Sequence, residues 1–121
     1  LMQRAQVGAV ASGTATLEAA CLGLPYALVY KVTTFTYLAA KFVVRIKNLG
    51  IINILAGRDV VPELVQGKMN ARELSDQMVA WLNDDTKREA LSEDLASVVA
   101  TLGEGGAYRR AVDVVLECLK R

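Results

Sequence analysis

The first part of the chain alternates short apolar runs with turns of small residues. Residues 7–11 (VGAVA) and 26–30 (YALVY) are apolar runs of strand length, and a helix-forming segment, residues 14–22, lies between them. Gly23 followed by Pro25 is a common way for such a helix to end. A strand, a short helix and a second strand predict a βαβ unit with parallel strands and a right-handed crossover.

The middle of the chain continues this alternation. Residues 35–47 place apolar side chains at helical spacing, which predicts an amphipathic helix. Residues 49–54 (LGIINI) predict a third short strand, and residues 55–68 predict a turn that continues into a helix. Three parallel strands with helices between them predict an α/β fold, half of a doubly wound parallel sheet, over residues 7–69.

The pattern changes to helix alone over residues 70–121. Asn70 and Glu73 have the spacing of a capping box at the start of one helix, and Thr86 and Glu89 repeat that spacing at the start of the next. The sequence therefore predicts an α/β core followed by a helical C-terminal segment.

Length and composition limit the class of protein. The chain has 121 residues, the size of one domain or of half a larger enzyme, and 53% of them are hydrophobic, which predicts a folded chain. No apolar run reaches the roughly 18 residues that a membrane-spanning helix needs. The opening LMQRAQ is typical of the tail of a helix, so we expect a fragment of a longer protein.

Cysteine and histidine usage narrows the chemistry. Histidine is absent, which excludes histidine-based catalytic triads and histidine-ligated metals from this segment. Cys21 and Cys118 are far apart in the sequence and have no metal-ligand spacing, so we expect no metal site and two buried free thiols.

Charge is distributed unevenly along the chain. Residues 1–58 contain six basic residues and a single acid, Glu18, whereas residues 59–121 contain eight basic and twelve acidic residues. The first half therefore suits a negatively charged partner such as a phosphate or an anionic surface, although a solvated basic face is an alternative.

The turn after the first predicted strand is a candidate nucleotide site. Ligands of open α/β sheets bind at the carboxyl ends of the strands, and the start of a helix attracts phosphate. Gly13 lets a ligand approach the backbone, and the hydroxyls of Ser12 and Thr14 add hydrogen-bond donors. Glu18 lies four residues after Thr14, on the same helix face, where its carboxylate suits a ribose diol. A plain helix cap is the alternative.

A second turn, in residues 52–59 (INILAGRD), is similar in kind. Asn53 lies at the end of the third predicted strand, and Gly57 again permits close approach to the backbone. Arg58 is able to bind a phosphate through two parallel hydrogen bonds. Two such turns at adjacent strand ends predict one shared site, although a structural turn with an exposed arginine is an alternative.

The predicted helix at 35–47 combines aromatic and basic residues, which suits a membrane surface or acyl chains. A helix that covers the sheet is the alternative. We find no module that indicates nucleic-acid binding. The candidate membrane or acyl contacts are Phe35, Tyr37, Lys41, Phe42 and Arg45.

Two stretches resemble a known family. The sequence ASGTATLEAACLGLPYALVYKVTTFTYLAAKFVV followed by INILAGRDVVPELVQ is similar to the two most recognisable stretches of lipid-A-disaccharide synthase, and the resemblance covers about residues 7–67. The family often has Leu-Pro before the asparagine of the second stretch, where this chain has GIIN. The resemblance implies the two-domain GT-B glycosyltransferase fold, with residues 1–121 as most of its C-terminal, UDP-sugar-binding, Rossmann-like domain.

The resemblance also implies an activity. Such an enzyme joins UDP-2,3-diacylglucosamine to 2,3-diacylglucosamine 1-phosphate, releases UDP and inverts the anomeric carbon, with no metal or cofactor. Its catalytic base is expected on the N-terminal domain, so this chain alone is expected to bind UDP weakly and to be inactive. By the resemblance, the residues facing the diphosphate are Ser12, Gly13, Thr14 and Ala15, the ribose-binding acid is Glu18, and Asn53, Gly57 and Arg58 belong to the second motif facing the same cleft.

Acylated substrates imply a cytoplasmic enzyme that lies peripherally on the inner membrane. The resemblance also implies that this chain acts together with the missing N-terminal domain. It does not decide whether the enzyme is a homodimer. Two alternatives remain at this stage. One is another GT-B enzyme that uses a UDP-sugar, such as a UDP-N-acetylglucosamine 2-epimerase or a MurG-like transferase. The other is a non-catalytic α/β module that binds a partner through its open sheet edge.

Overall fold

The structure, a computed structural model, describes residues 1–31, 48–103 and 105–119. Within these ranges it contains strands, α-helices and two 3₁₀ turns, Met2–Arg4 and Gln66–Lys68. The strands are β1 (Gly8–Ala11), β2 (Tyr26–Tyr30) and β3 (Glu63–Val65). The helices are α1 (Thr14–Cys21), α2 (Ile51–Ala56), α3 (Ala71–Leu82), α4 (Asp85–Ala100) and α5 (Ala107–Leu119).

The three strands form one parallel sheet in the order β1-β2-β3. Gly8 pairs with Tyr26 at the amino end of the first two strands, and Leu28 pairs with Glu63 where the third strand begins. Because α1 connects β1 to its parallel neighbour β2, the predicted βαβ unit is confirmed, and so is the predicted α/β fold with helices after it.

Helix α1 ends at the predicted glycine. Gly23 has a φ of 65°, its N–H donates to Ala20 O at 3.0 Å, and the N–H of Leu24 donates to Ala19 O at 3.0 Å. This pair of bonds is a Schellman motif, which satisfies carbonyls that the end of a helix would otherwise leave free. Ser92 Oγ of α4 donates to the Gly23 carbonyl at 2.8 Å, so the helical segment is attached to the same cap.

The core forms where α1, α2 and α4 pack against one another beside the sheet. Small residues of α1 allow this close approach, since Ala19 and Ala20 are buried. The large fully buried side chains include Tyr26 and Leu28 of β2, Ile52 of α2 and Leu95 of α4.

The prediction of a strand at residues 49–54 is wrong. These residues lead into helix α2, which begins after Gly50 and ends at Gly57, and the third strand is β3 instead of the predicted helix. A short apolar run does not distinguish a strand from a buried helix turn. Pro62 directly precedes β3 and accepts a hydrogen bond from Leu28 N at 2.9 Å through its carbonyl, a position where its missing N–H costs nothing.

The helical segment begins as predicted and then differs in detail. The Asn70 side chain accepts a hydrogen bond from Glu73 N at 2.9 Å, which confirms the cap of α3. The cap of α4 is Asp84, which accepts from Lys87 N at 3.1 Å; the prediction that Thr86 caps this helix is wrong. An aspartate two residues earlier offers an equally good capping oxygen.

Helix α5 exposes its side chains, including the apolar ones. Tyr108 is 92% exposed and Leu119 is 78% exposed. The prediction of buried thiols is also wrong, because Cys118 lies on this exposed helix and Cys21 lies on the outward side of α1. No helix among the described residues has the length and apolar character that a membrane crossing requires.

Candidate functional site

The glycine turn lies at the carboxyl end of β1, where the sequence placed it. Ser12 N donates to Val29 O at 3.2 Å and so extends the pairing of β1 with β2 by one residue. Gly13 then adopts a φ of 144° and forms the N-cap of α1. A Cβ there would meet no atom within 4 Å, so the backbone conformation, not crowding, requires glycine at this position.

Among the residues that the structure describes, no side chain caps the start of α1. The first N–H groups of a helix have no partners within the helix, and the helix dipole gives this end a partial positive charge. The alternative of a plain cap, with the hydroxyl of Ser12 or Thr14 on these groups, is therefore not what the structure contains. The exposed turn at Gly13 and Thr14 leaves the start of the helix accessible to an anion.

Thr16 stabilises the turn through two hydrogen bonds to the Gly13 carbonyl. Its Oγ1 donates to Gly13 O at 2.6 Å, and its backbone N–H donates to the same oxygen at 3.2 Å. Thr16 is only 1% exposed whereas Gly13 is exposed, so the bond joins a buried side chain to the surface turn. The Gly13 carbonyl is thereby fixed along α1, toward Thr16.

Tyr26 lies next to this support. Its hydroxyl is buried and has no hydrogen-bond partner among the described residues. Burial raises the pKa of Tyr26 to about 12; the Thr16 side chain offsets part of the rise, and the negative charge of Glu63 adds to it. The phenol is therefore neutral across the physiological range.

Glu18 lies one helical turn after Thr14 and is exposed, as predicted. Ala15, between the turn and Thr16, is half-buried. The Glu18 side chain lines a surface cavity of about 460 Å³ together with Leu1, Met2, Gln3, Cys21 and Leu22. It therefore lies on the flank of α1 beside the N-terminal turn, away from the buried side that packs against α2.

Asn53 is buried in α2 rather than placed at a strand end. Its Nδ2 donates to Val61 O at 2.8 Å and to Glu63 Oε1 at 2.9 Å. Its Oδ1 accepts from Val60 N at 2.8 Å and from Val61 N at 2.9 Å. All four hydrogen-bonding positions of the amide are filled, so it fastens α2 to β3 and leaves nothing free for a ligand.

Glu63 is a residue of this region that sequence reasoning missed. Although it lies on β3, its carboxylate accepts from Leu49 N at 2.8 Å and from Gly50 N at 2.9 Å, and so caps the start of α2. Gly50 has little room, since a Cβ there would lie 2.9 Å from Leu28 Cδ1. The available signal was a single acid at the start of an otherwise apolar strand.

The second glycine turn, at Gly57, lies at the amino ends of the strands, opposite the Gly13 turn. Gly57 has a φ of 65° and ends α2, and the chain then enters β3. A connection that enters a strand lies where the amino ends of the parallel strands meet. The Gly13 turn follows a strand and lies where their carboxyl ends meet. The prediction that both turns lie at adjacent strand ends is therefore wrong.

Arg58 makes the predicted bidentate contact, but with a carboxylate of this chain. Its Nη2 lies 2.7 Å from Asp94 Oδ1 and its Nη1 lies 3.3 Å from Asp94 Oδ2. The hydrogen bonds and the opposite charges raise the pKa of Arg58 and lower that of Asp94. Both side chains are about half exposed.

The membrane or acyl contacts predicted at Phe35, Tyr37, Lys41, Phe42 and Arg45 lie outside the described residues. Within the described ranges, no cluster of three or more histidine, cysteine, aspartate or glutamate side chains is placed to hold a metal ion.

Comparison with known proteins identifies the family. A family model described as lipid-A-disaccharide synthetase matches residues 1–117. The chain is 38% identical to the lipid-A-disaccharide synthase of Syntrophus aciditrophicus, over 97% of this chain and 30% of that protein. It is 43% identical to the synthase of Persephonella marina, over 89% of this chain and 28% of that protein. It is 41% identical to the synthase of Geobacter sulfurreducens, again over 89% and 28%.

The chain thus spans less than a third of the length of these relatives. The match covers the βαβ unit with the Gly13 turn, α2, β3 and nearly all of the helical segment. On this evidence, the chain belongs to the lipid-A-disaccharide synthetase family of glycosyltransferases.

Proposed function

We propose that this chain supplies the donor nucleotide site of an inverting glycosyltransferase of lipid A biosynthesis. The reaction joins UDP-2,3-diacylglucosamine to 2,3-diacylglucosamine 1-phosphate and releases UDP. Family membership supports this reaction class. The observation that carries the site is the uncapped start of α1 at the carboxyl end of β1.

In this proposal, the diphosphate lies against the turn formed by Ser12, Gly13, Thr14 and Ala15. The N–H groups of Thr14 and Ala15 donate to it, since that of Thr16 already donates to Gly13 O, and the helix dipole stabilises the negative charge that grows on UDP as it leaves. The Gly13 carbonyl is directed along α1 by its two bonds from Thr16, away from the free N–H groups that face the phosphate.

Glu18 accepts hydrogen bonds from the ribose hydroxyls. It is exposed, one turn along α1 from the phosphate position, and no side-chain hydrogen bond within the described residues occupies it. A carboxylate at that distance avoids direct contact with the diphosphate and suits a vicinal diol.

The second motif takes a different part in the proposal. Asn53 positions the connection from α2 to β3, since its amide is fully hydrogen-bonded. Arg58 and Gly57 stay outside the nucleotide contacts, because they lie at the opposite edge of the sheet and Arg58 binds Asp94.

The catalytic base is proposed to come from a segment of the protein other than this one, so that the chain alone binds UDP and does not transfer sugar. We further propose that the enzyme acts at the cytoplasmic face of the inner membrane, since both substrates are acylated. The aromatic and basic residues of 35–47 are the proposed contact with the membrane or the acyl chains.

The test is UDP binding by calorimetry, with the chain, its Glu18→Ala variant and Glu89→Ala as a matched control. Glu89 is an exposed acid on α4. Losing a charged hydrogen-bonding partner costs about 1.5–3 kcal/mol, so we expect Glu18→Ala to weaken UDP binding roughly 10- to 150-fold. Glu89→Ala should leave it unchanged. A chain that is folded by circular dichroism and binds no UDP would contradict the proposed site.

A further inference from the structure

Gln66 follows β3 directly and has an unusual backbone. Its φ is 53°, and it is the one non-glycine residue with a positive φ among the described residues. A side chain in the left-handed region carries a strain of about 1–3 kcal/mol, and such strain tends to occur at ligand sites. The position is at the carboxyl end of β3, where Val65 pairs with Tyr30, on the same sheet edge as the Gly13 turn.

The side chain of Gln66 is also unusual. Its Nε2 is buried, yet no acceptor bonds to it within the part of the chain that the structure describes. A buried donor without a partner is unfavourable. Because Gln66 as a whole is only half-buried, rotation of its side chain toward a ligand gives the Nε2 donor a partner and breaks no hydrogen bond to the described residues.

The sheet order places Gln66 and Glu18 on opposite flanks of the phosphate position. Neighbouring strands lie about 4.8 Å apart, so the ends of β1 and β3 are separated by about 10 Å. Glu18 lies on the side of α1 that faces the N-terminal turn. The opposite, buried side of α1 packs toward α2, whose connection enters the amino end of β3, and Gln66 follows the carboxyl end of that strand.

We infer that Gln66 donates a hydrogen bond to the sugar of the bound UDP-sugar, and so distinguishes UDP-sugar from UDP. This inference rests on the proposed function. With the ribose at Glu18 and the diphosphate at the Gly13 turn, the group beyond the diphosphate extends toward β3. A neutral carboxamide matches the hydroxyl and acyl carbonyl oxygens of such a sugar, whereas it adds little to the binding of a charged phosphate.

The experiment compares UDP with UDP-N-acetylglucosamine, a soluble donor analogue, by calorimetry. Gln66→Met keeps the length of the side chain without its donors. Gln66→Gly also removes the side chain but suits the left-handed backbone, so it stays folded even if the methionine variant does not. Glu18→Ala is the comparison variant, because it removes a proposed contact to the nucleotide that both ligands share.

We expect the wild-type chain to bind UDP-N-acetylglucosamine more tightly than UDP. Both Gln66 variants should bind UDP-N-acetylglucosamine roughly 2- to 12-fold more weakly, which corresponds to the loss of one neutral hydrogen bond. Their affinity for UDP should stay the same. Glu18→Ala should weaken both ligands equally. In NMR spectra, the side-chain amide signals of Gln66 should shift on addition of the UDP-sugar and not of UDP.

Three results would overturn the inference and leave the proposed nucleotide site standing: equal wild-type affinity for the two ligands, Gln66 variants that bind both as the wild type does, or Gln66 variants that lose both equally. Absence of UDP binding by the folded wild-type chain would instead overturn the nucleotide site itself, and the role of Gln66 with it.

Discussion

The Thr16 hydroxyl donates to the Gly13 carbonyl at 2.6 Å, from a side chain that is almost completely buried. This bond joins the interior of α1 to the exposed turn at its start. The turn is therefore supported by a side chain that lies beneath the surface.

Replacing Thr16 with valine tests this support. The valine keeps the shape and removes the donor, so the free energy of unfolding should fall by about 0.5–1.5 kcal/mol and UDP affinity should fall as well. Thr101→Val is a matched control, because Thr101 Oγ1 makes the same kind of bond to Val98 O at 2.6 Å at the far end of α4. The control should lose stability and keep UDP affinity. Unchanged UDP binding by Thr16→Val would contradict a role for Thr16 in shaping the site.

The buried phenol of Tyr26 predicts a loss of stability in alkali. Burial raises its pKa to about 12, above the value of about 10 in the unfolded chain, so its contribution is complete below pH 10 and is lost as pH rises through 12. The unfolding free energy should fall by up to about 1.4 kcal/mol per pH unit between these values.

Tyr26→Phe removes this effect, and other groups titrate equally in both proteins. The difference in unfolding free energy between wild type and Tyr26→Phe, measured with denaturant from pH 9 to 12, isolates the phenol. A difference that stays constant with pH would contradict the raised pKa.

Asn53 and Asn48 make a matched pair for the α2–β3 connection. Asn53→Ala leaves the buried N–H of Val61 without its partner, so we expect a loss of about 3 kcal/mol or more in unfolding free energy. Asn48→Ala removes an exposed bond of 2.6 Å to Asp59 and should cost about 1 kcal/mol or less. Denaturant unfolding measures both, and similar losses for the two variants would contradict the structural role of Asn53.

Arg58 is expected to be dispensable for nucleotide binding. It lies at the opposite edge of the sheet from Gly13 and pairs with Asp94, so Arg58→Ala should leave UDP affinity unchanged by calorimetry. Asp94→Asn should give the same result. A loss as large as that of Glu18→Ala would place Arg58 back at the phosphate, as the sequence alone predicted.

The exposed ion pair should also respond to salt and acid. The pKa of Asp94 is lowered by Arg58, so its contribution is present above the unfolded pKa and is lost as pH falls through the lower, folded value. The stability difference between wild type and Asp94→Asn should shrink with added salt. A difference independent of salt would indicate that Asp94 stabilises the protein in some other way.

Local signals made the first half of the fold predictable. The βαβ unit follows from two apolar runs, Gly23 and Pro25, all within some 24 residues, and the Gly13 turn follows from strand polarity. The nucleotide-facing residues at this turn could be proposed from the same local pattern.

The region around Asn53 could not be predicted in the same way. Whether residues 51–56 form a helix or a strand is decided by hydrogen bonds from Asn53 and Glu63, which are ten residues apart and recognisable only after folding. The αL backbone of Gln66 likewise has no sequence signal, because glycine is the residue that normally marks such a position.

The Glu63 carboxylate closes residues 49–63 into a loop whose two ends are held by the same side chain. The hydrogen bonds of Glu63 to Leu49 N, Gly50 N and Asn53 Nδ2 all span fewer than fifteen residues, so the loop can open as one cooperative unit. The amides of Leu49, Gly50, Val60 and Val61 should then exchange with deuterium at a common rate. In that sense, β3 and the preceding helix α2 unfold and refold together as one unit.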